Sequence, residues 1–414
     1  MAPPASLPQI RRAGLRSAGA VGLLPALLAS LLAGCSPGVA HRPPDLRGGA
    51  LVGAVLSLTS NASAYGQDQR IGMDLAQKWF GSGGGSGRPP SQPVRLRLED
   101  GGGDEQSASS AFNLLIGEGV LALIGPTLSQ QAFAADPIAQ RRKVPVVAPS
   151  NTAKGIPQIG SFISRVSAQS SVIAPLSIAA ALRLDPSIRR AAVFYAHDDA
   201  YSTSETAIFQ KALAAKGLPP VSVQRTQLTD QDFQNQITAA LRQKPDLIVI
   251  SAQAVDGGNL IRQLRELDYR GTIVVGNGMN TPNIYPICQR YCDGILIAQA
   301  YSPELDTPIN RAFVRLYAQA KGGGIPPQLT AQAFTAYQVV FEAIQRLHAA
   351  GGLKNVTLRQ ARKALMAELL RGRYDTPLGP IAFDPEGEVV QERFFVAQVR
   401  MASGGRSGRF ALLN

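Results

Sequence analysis

Three clusters of hydroxyl and amide side chains stand directly after short apolar runs, where a strand would give way to a helix. Ser57-Leu58-Thr59-Ser60-Asn61 runs on through Ala62 and Ser63 to Tyr65. Gly125-Pro126-Thr127-Leu128 leads to Ser129 and Gln130, and Pro149 leads to Ser150, Asn151 and Thr152. Hydroxyls beside free backbone N–H groups at helix starts suit an anion that lacks a fixed counter-charge. A carboxylate accepts several such bonds, each charge-assisted one worth about 1.5–3 kcal/mol. Ser129 and Thr152 would also serve simply as helix N-caps, and a cap hydroxyl can hold a ligand as well.

Residues for catalysis or metal binding do not gather in the same way. His197 lies beside Asp198, Asp199 and Tyr201, but no Gly-x-Ser-x-Gly elbow accompanies it. Gly276 and Gly278 follow a strand-like run, yet Thr281-Pro282 stands where a dinucleotide fingerprint needs its third glycine. Three His and three Cys give no zinc site of the usual spacing, and no cofactor is expected. Cys288 and Cys292 stand four apart, close enough for a disulfide if the turn is tight. Closing so short a loop would add roughly 2 kcal/mol on the chain-entropy model. Basic pairs such as Arg141-Arg142 and Arg189-Arg190 lack interleaved aromatics, which argues against a nucleic-acid partner.

The segments that would hold these loops alternate between strand and helix. Ala50–Leu58, Val94–Glu99, Val120–Ile124 and Val144–Ala148 read as strands. Between them lie helical patterns through Ile71 and Trp79, over Ser107–Glu118, and over Ser129–Arg142, the last kinked or interrupted at Pro137. The beat repeats with strands at Ala191–Tyr195, Val221–Gln227, Leu247–Ser251 and Thr272–Gly276. Short apolar runs separated by helices imply α/β architecture, with two doubly wound parallel-sheet lobes. In such sheets ligands sit beyond the carboxyl ends of the strands, which is where the hydroxyl clusters fall. The last third is helical at Thr307–Lys321, Thr330–His348 and Thr357–Leu370, with strands near Ile381–Phe383 and Arg393–Val399.

Composition agrees with a large folded chain. Of 414 residues, 45% are hydrophobic and 17% charged, enough apolar surface for two domains. The net charge of +12 is spread singly or in pairs, as a solvated surface would have it. Residues 1–34 read as a signal peptide, with Arg11, Arg12 and Arg16 before the apolar Ala18–Ala33 stretch, which is too short to span a bilayer. Its end, Leu32-Ala33-Gly34-Cys35, resembles the lipobox of bacterial lipoproteins. That likeness implies that Cys35 is lipidated and anchors the chain on the periplasmic side of a bacterial membrane, with residues 35–49 as a tether. Outside the cytoplasm a Cys288–Cys292 bond would persist.

Read in order, the motifs resemble one family. Val52-Gly53-Ala54-Val55-Leu56-Ser57-Leu58-Thr59 with Ala64-Tyr65-Gly66-Gln67 is followed by Ile124-Gly125-Pro126-x-x-Ser129 and Pro145-Val146-Val147-Ala148-Pro149-Ser150-Asn151-Thr152. Asp199-Ala200-Tyr201, Asp232-Phe233, Asp246-Leu247-Ile248 and Leu378-Gly379-Pro380-Ile381-x-Phe383-Asp384 complete the series. The order and spacing are similar to the leucine/isoleucine/valine-binding proteins, the type I receptors of ABC transporters for branched-chain amino acids. The resemblance implies that hydroxyls of Ser129 and Thr152 and the carbonyl of Ser150 hold the ligand's backbone, and that Tyr201 closes from the second lobe. It implies crossings near residues 164–168, 298–302 and 380–383, giving one lobe of 50–166 and 302–380 and another of 167–301 and 381–414. The implied function is a lipid-anchored receptor for a small polar solute, delivered to an ABC permease. The same fold also serves as a sensor or as a scaffold that activates a cell-wall enzyme.

The chain departs from that pattern where the ligand's ammonium would sit. Asn277-Gly278-Met279-Asn280 replaces the acidic residue that these receptors often carry after the Thr272–Gly276 strand. Gln253 occupies the loop after Leu247–Ser251, where an aromatic residue is common. Tyr65, Gln253 and Asn277 therefore join the candidate ligand contacts. An ammonium buried without a carboxylate is costly, and Asp256 and Asp198 are the acids that could reach it. An amino acid, an amide or urea-like solute, or another small carboxylate would fit such a site.

Overall fold

Strand β1 (Ala50–Leu56) is apolar throughout and buried at every residue except Leu51, as a strand covered on both faces must be. The computed structural model in which it lies describes residues 38–413 apart from 85 and 86, so the signal segment and the lipidation expected at Cys35 fall outside the described residues. From β1 the chain alternates regularly through α1 (Ser63–Gly81), β2 (Val94–Asp100), α2 (Glu105–Glu118), β3 (Ala122–Ile124), α3 (Ser129–Arg142), β4 (Val146–Ala148) and β5 (Ile163–Arg165). These strands form one parallel sheet in the order β2-β1-β3-β4-β5. Cap chemistry marks the helix ends. Asp104 accepts the Ser107 N–H at the start of α2, and Gly119 at φ 87° turns the chain out of it.

A second series follows with α4 (Ser170–Leu184), β6 (Ala191–Ala196), α5 (Ala200–Ala215), β7 (Ser222–Thr226), α6 (Gln234–Leu241), β8 (Leu247–Ser251), α7 (Ala254–Glu266), β9 (Thr272–Val275), α8 (Tyr285–Cys288) and β10 (Leu296–Gln299). The chain then returns to the first lobe through α9 (Pro308–Lys321), α10 (Gln328–Ala349) and α11 (Leu358–Arg371). A small antiparallel sheet comes next, of β11 (Arg373–Thr376), β12 (Gly379–Phe383) and β13 (Val389–Gln391). Two further strands, β14 (Phe395–Met401) and β15 (Gly408–Leu412), pair antiparallel on the edge of the second sheet. Its order is β15-β14-β10-β9-β8-β6-β7. The parallel part repeats the winding of the first sheet, and in each lobe the winding reverses once, between β1 and β3 and between β6 and β8. Such switch points open a crevice for ligands. Two doubly wound lobes joined by three crossings are thus observed.

Three details differ from the sequence reading. Helix α3 runs unbroken past Pro137, whose lost N–H costs one hydrogen bond while Ala132, Ala135 and Ala139 keep the helix packed on the core. Strand β5 and helix α4 were not anticipated, since β5 has only three residues and α4 carries Pro175. The third crossing follows β13 rather than falling at 380–383. β12 is zipped between β11 and β13, and Tyr374, Leu378, Ile381 and Phe383 sit in the core of the first lobe. Residues 381–391 therefore belong with the first lobe, not the second.

Cys288 and Cys292 lie side by side in the core of the second lobe with Cα atoms 5.5 Å apart, the spacing a disulfide requires. Among the described residues no helix is long and apolar enough to cross a membrane.

Candidate ligand-binding site

Loops from the carboxyl ends of both sheets meet across the interlobe crevice around a small cavity of about 40 Å³, open at one side. That is room for a few waters, well short of an open ligand pocket. All seven candidate contacts line it: Ser129, Ser150, Thr152 and Tyr65 from the first lobe, Tyr201, Gln253 and Asn277 from the second.

The wall on the first lobe offers donors. Helix α3 begins at Ser129, so its unpaired N–H groups end at the cavity. The Ser129 hydroxyl accepts the Ala153 N–H at 3.4 Å and keeps its proton to donate. Thr152 is 1% exposed, and its hydroxyl has no hydrogen-bond partner within the protein. What fixes Thr152 is Arg165 at the end of β5. This guanidinium donates to the carbonyls of Asn151 (2.9 Å) and Ala153 (2.7 Å), on either side of Thr152. Its other edge pairs with both carboxylate oxygens of Glu388 at 2.8 and 2.7 Å. Ser150 is tied differently. Its hydroxyl donates to the Thr127 carbonyl (2.7 Å) and accepts from Gln69 (2.6 Å), so the hydroxyl braces the loop. Thr127 in turn donates to Gln69 at 2.6 Å and accepts the Ser57 N–H at 3.0 Å, which links the loops after β1, β3 and β4.

The wall on the second lobe is braced by two buried carboxyls. Asp199 caps α5 by accepting the Ser202 N–H, which sets Tyr201 in the first turn facing the cavity. Tyr201 accepts the Gly278 N–H and donates to Glu205, both at 2.6 Å. Glu205 is 1% exposed and also accepts the Asn277 N–H (3.1 Å) and the Ser170 hydroxyl (3.3 Å). A Cβ at Gly276 would run into this carboxylate, which explains the glycine there. Burial pushes the Glu205 carboxyl up to about 7, against the hydrogen bonds that favour its charge. Asp199 is likewise raised by burial, and its carboxylate accepts from Gln253 at 3.2 Å.

Two candidates tie the lobes together. The Tyr65 hydroxyl accepts the Ala254 N–H (2.6 Å) and donates to the Gly278 carbonyl (2.7 Å). The Asn277 side-chain oxygen accepts from Gln328 of α10 at 2.9 Å.

The sequence reading missed Thr127, Leu128, Gly278 and Leu329 as lining residues, and Glu205 behind them. Thr127 and Leu128 lay in a loop already singled out, but Leu329 opens a helix with no polar signal. Glu205 stands one helical turn beyond Tyr201, a spacing that places both on one face. Neither acid suggested for the ammonium lines the cavity. Asp198 accepts the Leu228 N–H at 3.0 Å, and Asp256 borders a neighbouring cleft. No group of His, Cys, Asp and Glu among the described residues could hold a metal ion.

Known proteins share this architecture. The periplasmic binding protein family matches residues 51–406. The Leu/Ile/Val-binding protein BraC3 of Rhizobium johnstonii is 24% identical over 350 residues, 83% of this chain and 89% of its own length. The crystal structure of the leucine-binding protein LivK from Thermotoga maritima superposes with a TM-score of 0.77 at 26% identity, covering 88% of this chain and 99% of that one. A solute-binding protein of an ABC transporter from Rhodopseudomonas palustris, solved with 3,4-dihydroxybenzoic acid, shares the fold at TM-score 0.74 and 20% identity, covering 88% and 96%. With its fold, its interlobe cavity and this match along most of its length, the chain belongs to the type I periplasmic binding protein family that includes the leucine/isoleucine/valine-binding proteins, extracytoplasmic solute receptors rather than enzymes.

Proposed function

We propose that this chain is the substrate-binding lipoprotein of an ABC transporter, held at the membrane through Cys35, that clamps a small polar solute between its lobes by hinge closure. The solute is a branched-chain or other amino acid, or an amide or urea-like compound, and the partner is a membrane permease. The observation that carries this reading is the buried, unpartnered Thr152 hydroxyl beside Ser129 at the start of α3, lining with Tyr201 the cavity between the lobes. Ser129, Thr152 and the α3 N–H groups would hold a carboxylate, while Ser150, Tyr65, Tyr201, Gln253 and Asn277 complete the enclosure. Closure follows if the solute touches both lobes, because a ligand shifts a hinge only by binding one state more tightly.

The test is a thermal-shift panel of amino acids, amides and small carboxylates, then calorimetry with the best binder. Ser129→Ala and Thr152→Ala are each expected to weaken binding by about 1–3 kcal/mol. Unchanged affinity in both variants would remove the carboxylate from this wall.

A further inference from the structure

One contact between the lobes runs through a group that titrates. Asp68 projects from α1 of the first lobe, and its carboxylate meets the loop between β9 and α8 of the second. The Asn283 side-chain amide donates to it at 3.3 Å, and the Thr281 hydroxyl lies at 3.5 Å. That hydroxyl accepts the Asn283 N–H (3.2 Å) and the Asn283 amide (2.9 Å), so its own proton is free to turn toward Asp68. The charged groups nearby leave the carboxylate without a paired cation. Tyr65 on the same helix and Tyr317 on α9 feel its charge, and the exposed Lys321 of α9 acts on it without forming an ion pair. Helix α10, packed along α1, carries no acid, Lys, Arg or His before Glu342. Burial raises the Asp68 carboxyl from the ordinary 3.8 to about 6, against the two hydrogen bonds and Lys321. Both donors belong to the second lobe, so parting the lobes would return this carboxyl to water and to its ordinary value. Glu205 and Asp199 differ, because their hydrogen bonds come from the second lobe alone and survive any movement between lobes.

We infer that Asp68 is a proton-linked latch between the lobes: the closed form holds a proton on this carboxyl that the open form releases, so closure and solute binding strengthen as the surroundings acidify. This rests on the hinge-closing receptor reading and adds a regulation to it. The sign follows from the raised closed value: the gain is full below 3.8 and is lost as pH rises through about 6.

The experiment titrates the full chain with the panel of amino acids, amides and small carboxylates at pH 5 and pH 7.5, L-leucine and acetamide foremost because neither changes charge between those values. Each solute that binds should do so about tenfold more tightly at pH 5, and by a common factor, since the proton sits on the hinge rather than on the solute. Calorimetry at pH 5 in buffers of different ionisation enthalpy should show about one proton taken up per solute bound. Asp68→Asn, nearly isosteric, has no proton to gain: its affinities at the two pH values should agree within about twofold, and at pH 7.5 it should bind at least as tightly as the wild type. If Asp68→Asn does not fold, Thr281→Val keeps the shape but withdraws a donor from the ionised carboxyl, and the pH factor should widen beyond tenfold. A merely structural contact would shift the affinities at both pH values alike. Equal wild-type affinity at the two pH values, or an unchanged pH factor in the variants, overturns the latch and leaves the receptor reading intact. A panel in which nothing binds overturns both.

Discussion

Burying a carboxyl without a cation has a thermodynamic signature at Glu205. Its folded value of about 7 stands above the ordinary 4.5, so the folded chain holds a proton that the unfolded chain has already released. The stability gained from that proton is fully present below the unfolded value. It is lost as pH rises through the folded one, in the window from 4.5 to 7. Glu205→Gln has no proton to lose there. Urea titrations at pH 4.5 and pH 8 should show the wild type losing about 3 kcal/mol more than the variant between the two, at 1.36 kcal/mol for each pKa unit. Asp68, raised by burial to about 6, contributes a fall of the same sign in both proteins, so the difference isolates Glu205. Equal pH slopes would mean that Glu205 titrates normally. The hydroxyls of Ser129 and Thr152 could be placed at the crevice from the sequence because both stand in loops that leave the carboxyl end of a strand. Glu205 could not, because its significance comes from what Gly276 leaves open, and a glycine's empty space is filled only in three dimensions.

At the scale of elements, the legible features were the long periodic ones. Strands β1, β6 and β8 are apolar runs between turn residues, and their order gave the winding and the face on which the loops would gather. Pieces three residues long, such as β5 and β13, exist by virtue of their neighbours and carry no pattern of their own. Yet these two hold the cavity's key loop. Arg165 of β5 spans Glu388, beside β13, and the carbonyls that flank Thr152. Its guanidinium is fully buried and its partner nearly so. Replacing one member of such a pair leaves the other charge unpaired in a dry site. Arg165→Met should therefore lower unfolding stability by about 3–5 kcal/mol, and it should also weaken solute binding, since the Asn151–Ala153 loop loses its clamp. Denaturation and calorimetry on the same preparation check this. A variant with unchanged stability would show that β5 and β13 are held by their backbone pairing alone.

At the scale of the whole molecule, the lobes are joined at the cavity by bonds that the proposed hinge closure would make and opening would break. Tyr65 of α1 grips Ala254 and Gly278, and Gln328 of α10 grips Asn277 while accepting the Ala300 N–H at 2.7 Å. These groups would be satisfied by water in an open form, so each net bond contributes only about 0.5–1.5 kcal/mol to closure. Tyr65→Phe and Gln328→Ala should each raise Kd several-fold by drawing population from the closed state, which reduces apparent affinity in proportion. Both grips converge on the adjacent residues 277 and 278. Loosening that loop once removes part of what the second grip can hold, so the double variant should cost less than the sum of the singles. Small-angle scattering at saturating solute should show the double variant with a larger radius of gyration than the wild type. Full additivity in calorimetry would mean that the two grips close independent parts of the crevice, and identical scattering would mean that closure is driven by the solute's own contacts with Ser129, Thr152 and Tyr201.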